Sequence, residues 1–132
     1  MNESILQNIK KLLGIDNAYT EFDQDIIIHI NSVFMILRQM GVGPEAGYKI
    51  TSNSNVWSEF SGDDIFIESV KTYVYLKVRM YFDPPQSSAL AQAIQAQIAE
   101  LEWRLNVASL ETHVNEVTND EDNPSLTSNF LD

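Results

Sequence analysis

The apolar positions of this chain fall into four runs at helical spacing, separated by two short polar connectors and one long interruption. From Glu3 to Leu13, Ile5, Leu6, Ile9, Leu12 and Leu13 recur at i, i+3 and i+4, with Lys10 and Lys11 near the C-terminal end and Gly14 as the stop. After a connector from Ile15 to Phe22, a second helix is predicted over Asp23 to Met40, with Thr20 or Asp23 able to cap its start. It carries Ile26, Ile27, Ile30, Val33, Phe34 and Leu37, and Gly41 closes it.

The pattern breaks between Gly41 and Gly62. Gly41, Gly43, Pro44 and Gly47 precede Tyr48-Lys49-Ile50-Thr51 and a polar Ser52-Asn53-Ser54-Asn55 turn, so a long loop or a short β-hairpin fits, with Trp57 and Phe60 tying it to the core. A loop of about twenty residues is long for a compact domain, and such loops are usually binding elements.

Asp63 to Pro85 holds the densest aromatic and branched content. Ile67, Val70, Val74, Val78 and Tyr81 recur at helical spacing behind Asp63 and Asp64, which can cap an N-terminus. Tyr73 to Phe82 also alternates as a strand would, but about twenty residues without Gly or Pro exceed a usual strand and suit a buried helix. Tyr and Phe lie nearly all round it, which predicts packing on its own subunit with one face and on a neighbour with another. Asp83-Pro84-Pro85 forces a corner, after which Gln86 to Asn106 is predicted as a last helix with Leu90, Ile94, Ile98, Leu101 and Leu105 as its stripe. Ala91, Ala93, Ala96 and Ala99 permit close approach of another helix.

The expected architecture is all-α: a four-helix domain over residues 1–106 and an extended acidic C-terminal tail over 107–132. The tail is polar, with Leu126, Phe130 and Leu131 late in it, apolar residues that suit either a docking peptide or no role. At 132 residues and 44% hydrophobic content the chain can build one core. There is no cysteine, so disulfides, thiolate metal sites and thiol nucleophiles are excluded. No apolar run predicts a membrane span, and MNESILQNIKK lacks the pattern of a secretory signal.

The formal charge is −11, of which residues 107–132 hold −6 and no Lys or Arg. Affinity for phosphates rests on Lys and Arg, so this balance opposes wrapping nucleic acid. The only histidines are His29, in a helix, and His113, in the tail, and His29 reads as a helix-face residue rather than a ligand. Asp23 with Asp25, and Asp63 with Asp64, sit at helix starts, where capping explains them better than acid–base or magnesium chemistry. Gly41 to Gly47 superficially resembles a phosphate loop, but it succeeds a helix and Pro44 removes an amide. No catalytic set and no cofactor site is found. Lys71, Lys77, Arg79 and Arg104 could form a basic strip, and pairing with Glu68, Glu100, Glu102 or a neighbouring subunit's acids accounts for it. Trp103 beside Arg104 has the composition of an interface, or Trp103 covers the core.

IKKLLGID (Ile9 to Asp16), DIIIHINSVFMILRQMGVGP (Asp25 to Pro44), VKTYVYLKVRMYFDPP (Val70 to Pro85) and ELEWRLN (Glu100 to Asn106) together resemble the head-tail connector family of long-tailed bacteriophages. Tyr73 to Pro85 is the most specific part, and the likeness covers about residues 5–106. It implies a virion neck protein, assembled in the bacterial host cytoplasm as a homo-oligomeric ring, dodecameric, beneath the portal. Such a ring extends the DNA channel, lets DNA pass without specific binding and offers a platform to a stopper or tail-completion protein. On this reading Trp103, Arg104, Leu126, Phe130 and Leu131 meet the portal. Tyr73, Tyr75, Lys77, Arg79 and Tyr81 meet Ala93 and Ala96 of a neighbour, because a ring needs two different complementary faces. Tyr48, Lys49, Asn53 and Asn55 face the tail or stopper. The rival reading is a small acidic intracellular regulator that binds a host protein; a helix-turn-helix DNA binder would need a basic recognition helix, and the second helix offers only Arg38.

Overall fold

The computed structural model describes residues 2–121, with side chains through residue 111. Four helices succeed one another along the chain: α1 (Ile5–Leu13), α2 (Asp23–Gln39), α3 (Asp64–Phe82) and α4 (Ser88–Glu121), with one 3₁₀ turn at Trp57–Glu59. Ser4 caps α1 through Oγ, which accepts from the Gln7 N–H, and Gly14 ends it at φ +81°, a conformation that costs glycine no steric penalty. Asp63 Oδ1 accepts the Ile65 and Phe66 N–H groups at 3.0 Å each, which fixes the start of α3. Ser87 Oγ does the same for Leu90 at the start of α4, after the two prolines have ended α3.

The central helix α3 packs most closely against α2 and α4 and more lightly against α1. Its buried side chains are Ile67, Val70, Tyr73, Val74, Leu76 and Val78, facing Ile26, Ile30, Val33 and Leu37 of α2, Ile94, Ile98 and Leu105 of α4, and Ile5 and Ile9 of α1 in one cluster. The six apolar residues expected to bury along α2 all do.

Two expectations need correction. The last helix does not end at Asn106; it runs to Glu121, because Ala108, Leu110 and Glu111 are strong helix formers and neither Gly nor Pro intervenes. Residues 107–121 are therefore helical, not an extended tail. Nor does Thr20 or Asp23 cap α2: the N-cap is Phe22, which makes no side-chain bond, and Asp23 lies in the first turn. Asp23 instead pairs with Lys10, which is only 2% exposed. The Lys10 ammonium lies 2.8 Å from Asp23 Oδ1 and donates to the Asn17 carbonyl at 3.1 Å and the Tyr19 carbonyl at 2.7 Å. Two of its protons thus have carbonyl acceptors, while Asp23 Oδ1 is a charge partner at ion-pair distance that accepts no hydrogen bond of ordinary geometry among the described residues.

Replacing Lys10 with Met strands those acceptors and should cost about 3 kcal/mol of unfolding free energy, read as a lower urea midpoint. A variant as stable as the parent would show that the buried ammonium contributes nothing net.

Candidate functional site

No strand forms among the described residues, so the 41–62 segment is a loop and not a hairpin. Side chains do the work of a ladder. The Asn31 amide on α2 donates to the Ile50 carbonyl at 2.9 Å and accepts the Ile50 N–H at 2.8 Å. Asn55 Oδ1 accepts the Thr51 and Ser52 N–H groups and closes the polar turn. The Ile50, Thr51 and Ser52 groups that a hairpin would use are thus already paired. Residues 55–57 then lie along the N-terminus, with Ile5 N–H to the Asn55 carbonyl, Trp57 N–H to the Glu3 carbonyl and Trp57 Nε1 to Asn8 Oδ1. Trp57 and Phe60 are buried, as the sequence suggests, and Phe34 of α2 stacks on Phe60 at 5.1 Å and meets Tyr48 and Trp57 edge-on. Gly43 is required here: a Cβ would lie 2.5 Å from the Phe60 ring. Ser109 of α4 donates to the Gly41 carbonyl at 3.1 Å, so the loop is held at its entrance as well.

Glu59 Oε1 gathers the loop's polar side: it accepts the Val56 N–H at 2.7 Å, the Tyr48 hydroxyl at 3.0 Å and the Asn55 amide at 3.3 Å. The Val56 amide, then the Tyr48 hydroxyl, hold this carboxyl below its ordinary range. Burial, and then the bond to Glu59, push the Tyr48 hydroxyl up to about 12. Of the four residues expected to face a tail component, Lys49 and Asn53 are exposed, whereas Tyr48 and Asn55 are half-buried and hold the loop's shape.

The tyrosine-rich face of α3 is mostly covered. Tyr73 has no exposed surface and is part of the subunit's own core, so it cannot meet a neighbour. Its hydroxyl is buried, and that burial, with the nearby Glu102 carboxylate, raises its pKa, although no hydrogen bond of ordinary geometry joins the two. Tyr75, Lys77 and Arg79 are half-buried, the Arg79 guanidinium donating to the Tyr75 hydroxyl and the Lys77 ammonium lying 5.3 Å from the centre of the Tyr81 ring. Tyr81 is exposed and touches His29, which is an aromatic contact. Lys71 pairs with Glu68 and Glu3, and Arg104 with Glu100 at 2.6 Å, as the charge balance suggests.

The large apolar side chains that reach solvent lie elsewhere. Apart from Ile65 in the first turn of α3, the most exposed are Ile28 and Met35 on α2 and Trp103, at 66% exposure, and Leu110 on α4, where Ala93 and Ala96 are also exposed; Leu12, Phe22 and Leu90 are exposed to a lesser degree. Sequence reading missed the α2 pair, whose i, i+7 spacing on the side opposite the core stripe is the signal that could have found it. Leu126, Phe130 and Leu131 lie outside the described residues. A cleft of about 810 Å³ opens where the loop meets α3 and α4, with Val42, Phe60 and Phe66 below and Glu45, Asp63 and Glu111 at its edge. Among the described residues no three of His, Cys, Asp and Glu gather as a metal site, and no helix is long and apolar enough to cross a membrane.

A family model described as phage connector protein matches residues 5–117. No curated protein and no solved structure matches the chain.

Two stability measurements test this geometry. Because the folded Glu59 carboxyl is more acidic than its unfolded counterpart, its contribution is present above the carboxylate range and lost as pH falls through it. Parent and Glu59→Gln should differ in melting temperature at neutral pH and converge in acid; a gap independent of pH would mean that the charge is not what matters. Tyr73→Phe removes a buried hydroxyl that lacks a good bond and should leave stability unchanged or raise it by up to about 1 kcal/mol. A clear loss would show that Glu102 accepts its proton.

Proposed function

The chain belongs to the phage connector protein family, structural proteins of the phage neck, and on that premise we propose that it forms a ring joining the portal of a phage head to the tail or stopper. The match, which covers α1 to α3 and most of α4, is the observation that carries this reading. The ring extends the DNA channel, and twelve subunits would match a dodecameric portal. A net charge of −11 lets DNA slide past without adhering, since like charge repels phosphate. Assembly takes place in the host cytoplasm. The C-terminal segment with Leu126, Phe130 and Leu131 docks on the portal, and the exposed Lys49 and Asn53 of the loop face the next neck component.

The length of α4 supports this division. At about 1.5 Å per residue it spans about 51 Å, and about three turns of it follow Ser109, whose hydroxyl holds the loop at the Gly41 carbonyl.

Light scattering on a sizing column, with the protein alone and then mixed with a portal ring, tests the proposal. A ring-sized species, formed alone or only with portal, is the expected result. A monomer that ignores portal would overturn it and favour a small acidic regulator.

A further inference from the structure

Among the described residues, two helix faces are both apolar and free of charge. On α2, Ile28, Ser32, Met35 and Gln39 are exposed along one side, opposite the buried stripe. On α4, Ala89, Ala96, Trp103 and Leu110 are exposed at strict seven-residue intervals, opposite Ile98 and Leu105, with Ala99 beside them. None of these residues is Asp, Glu, Lys or Arg.

We infer that neighbouring copies of this chain meet by packing the outward face of α2 on one against the outward face of α4 on the next. The inference rests on the connector reading and names the surfaces that close its ring. A chain carrying −11 meets least repulsion from its own copy where charge is absent or complementary, and these two strips meet that condition. Their spacings agree: Ile28 to Met35 and Trp103 to Leu110 are each seven residues, about 10.5 Å of helix, so two large side chains on one strip meet two on the other. The alanines on α4 admit the close approach, and Trp103 supplies the large flat contact that dominates such interfaces. The rims agree as well. Arg38 edges the α2 strip, is exposed and makes no ion pair among the described residues, while Glu100, which also holds Arg104, and Glu111 edge the α4 strip. With Met35 set on Trp103 in an antiparallel crossing, Arg38 lies beside Glu100; with Met35 on Leu110 in a parallel one, it lies within a turn of Glu111. Because the two faces differ, each copy offers one face on either side, and the contact repeats until it closes, as a self-paired dimer would not.

The chain has no cysteine, which makes the test direct. Ser32 lies between Ile28 and Met35, and Asn106 between Trp103 and Leu110; both are exposed, so Ser32→Cys and Asn106→Cys face each other in either crossing. The full-length double variant, assembled alone or on portal and treated with a short bis-maleimide, should give a ladder of dimers, trimers and higher species. Each single variant should stay uncross-linked, and a mixture of the two should stop at dimers. A single variant that cross-links to itself overturns the inference, since the contact is then self-paired. Assembly by light scattering without a ladder also overturns it, assigns these faces to portal or another partner, and leaves the connector reading standing; no assembly under any condition removes both. Trp103→Ala should keep the parent's melting curve, because the side chain is exposed, and raise the concentration needed for assembly by about tenfold or more.

Discussion

A buried ammonium decides where the first half of this chain can go. Lys10 is on α1, yet its two carbonyl acceptors lie in the next connector and its carboxylate partner in the first turn of α2. Removing an ammonium from water is costly, and the cost is offset only when every proton finds an oxygen at short range. The arrangement therefore has few alternatives: the connector must wrap so that the Asn17 and Tyr19 carbonyls point inward, and α2 must start with Asp23 beside them. An apolar side chain at this position would pack as well but would leave two carbonyls in the interior without a donor. With α1 and α2 set at this angle, α3 fills the space between them and α4 closes the remaining side.

The loop between α2 and α3 obeys the same requirement by other means. A segment of its length must satisfy its own backbone groups or stay in water. Here Asn31, Asn55 and Glu59 supply side-chain oxygens and amides where a sheet would supply neighbouring strands, while Phe34, Tyr48, Trp57 and Phe60 give the segment an aromatic core of its own. The outcome is a shaped loop whose outer turn is left to solvent.

Periodicity makes the four helices legible, and it selects the buried residues of α2 without error, because a helix packed on one side has one clean stripe. It serves less well for α3. A stripe tells which direction is buried and not how wide the buried arc is, so Tyr73, on the flank of the stripe, reads as surface although it is fully buried in the subunit's own core. Lys10 reads as a favourable charge at a helix end, since two of its three partners are carbonyls and leave no trace in side-chain chemistry. The end of α4 is hidden because acidic composition resembles that of an unfolded tail, while no Gly or Pro interrupts the sequence between Asn106 and Glu121. Of the site, the alanines and Trp103 are visible from composition, whereas the exposed Ile28 and Met35 are masked within a run of β-branched residues that looks uniformly internal.

The two apolar sides of α4 also restrict how this sequence can change. An inserted or deleted residue turns everything beyond it by about 100° relative to what precedes it. Between Ile94 and Leu105 such a change would swing Leu105 out of the core and Trp103 off its strip at the same moment, and would break the alignment of Ser109 with the Gly41 carbonyl. The helix can therefore gain or lose length over evolutionary time only beyond these anchors, or in steps of seven residues that return both sides to register.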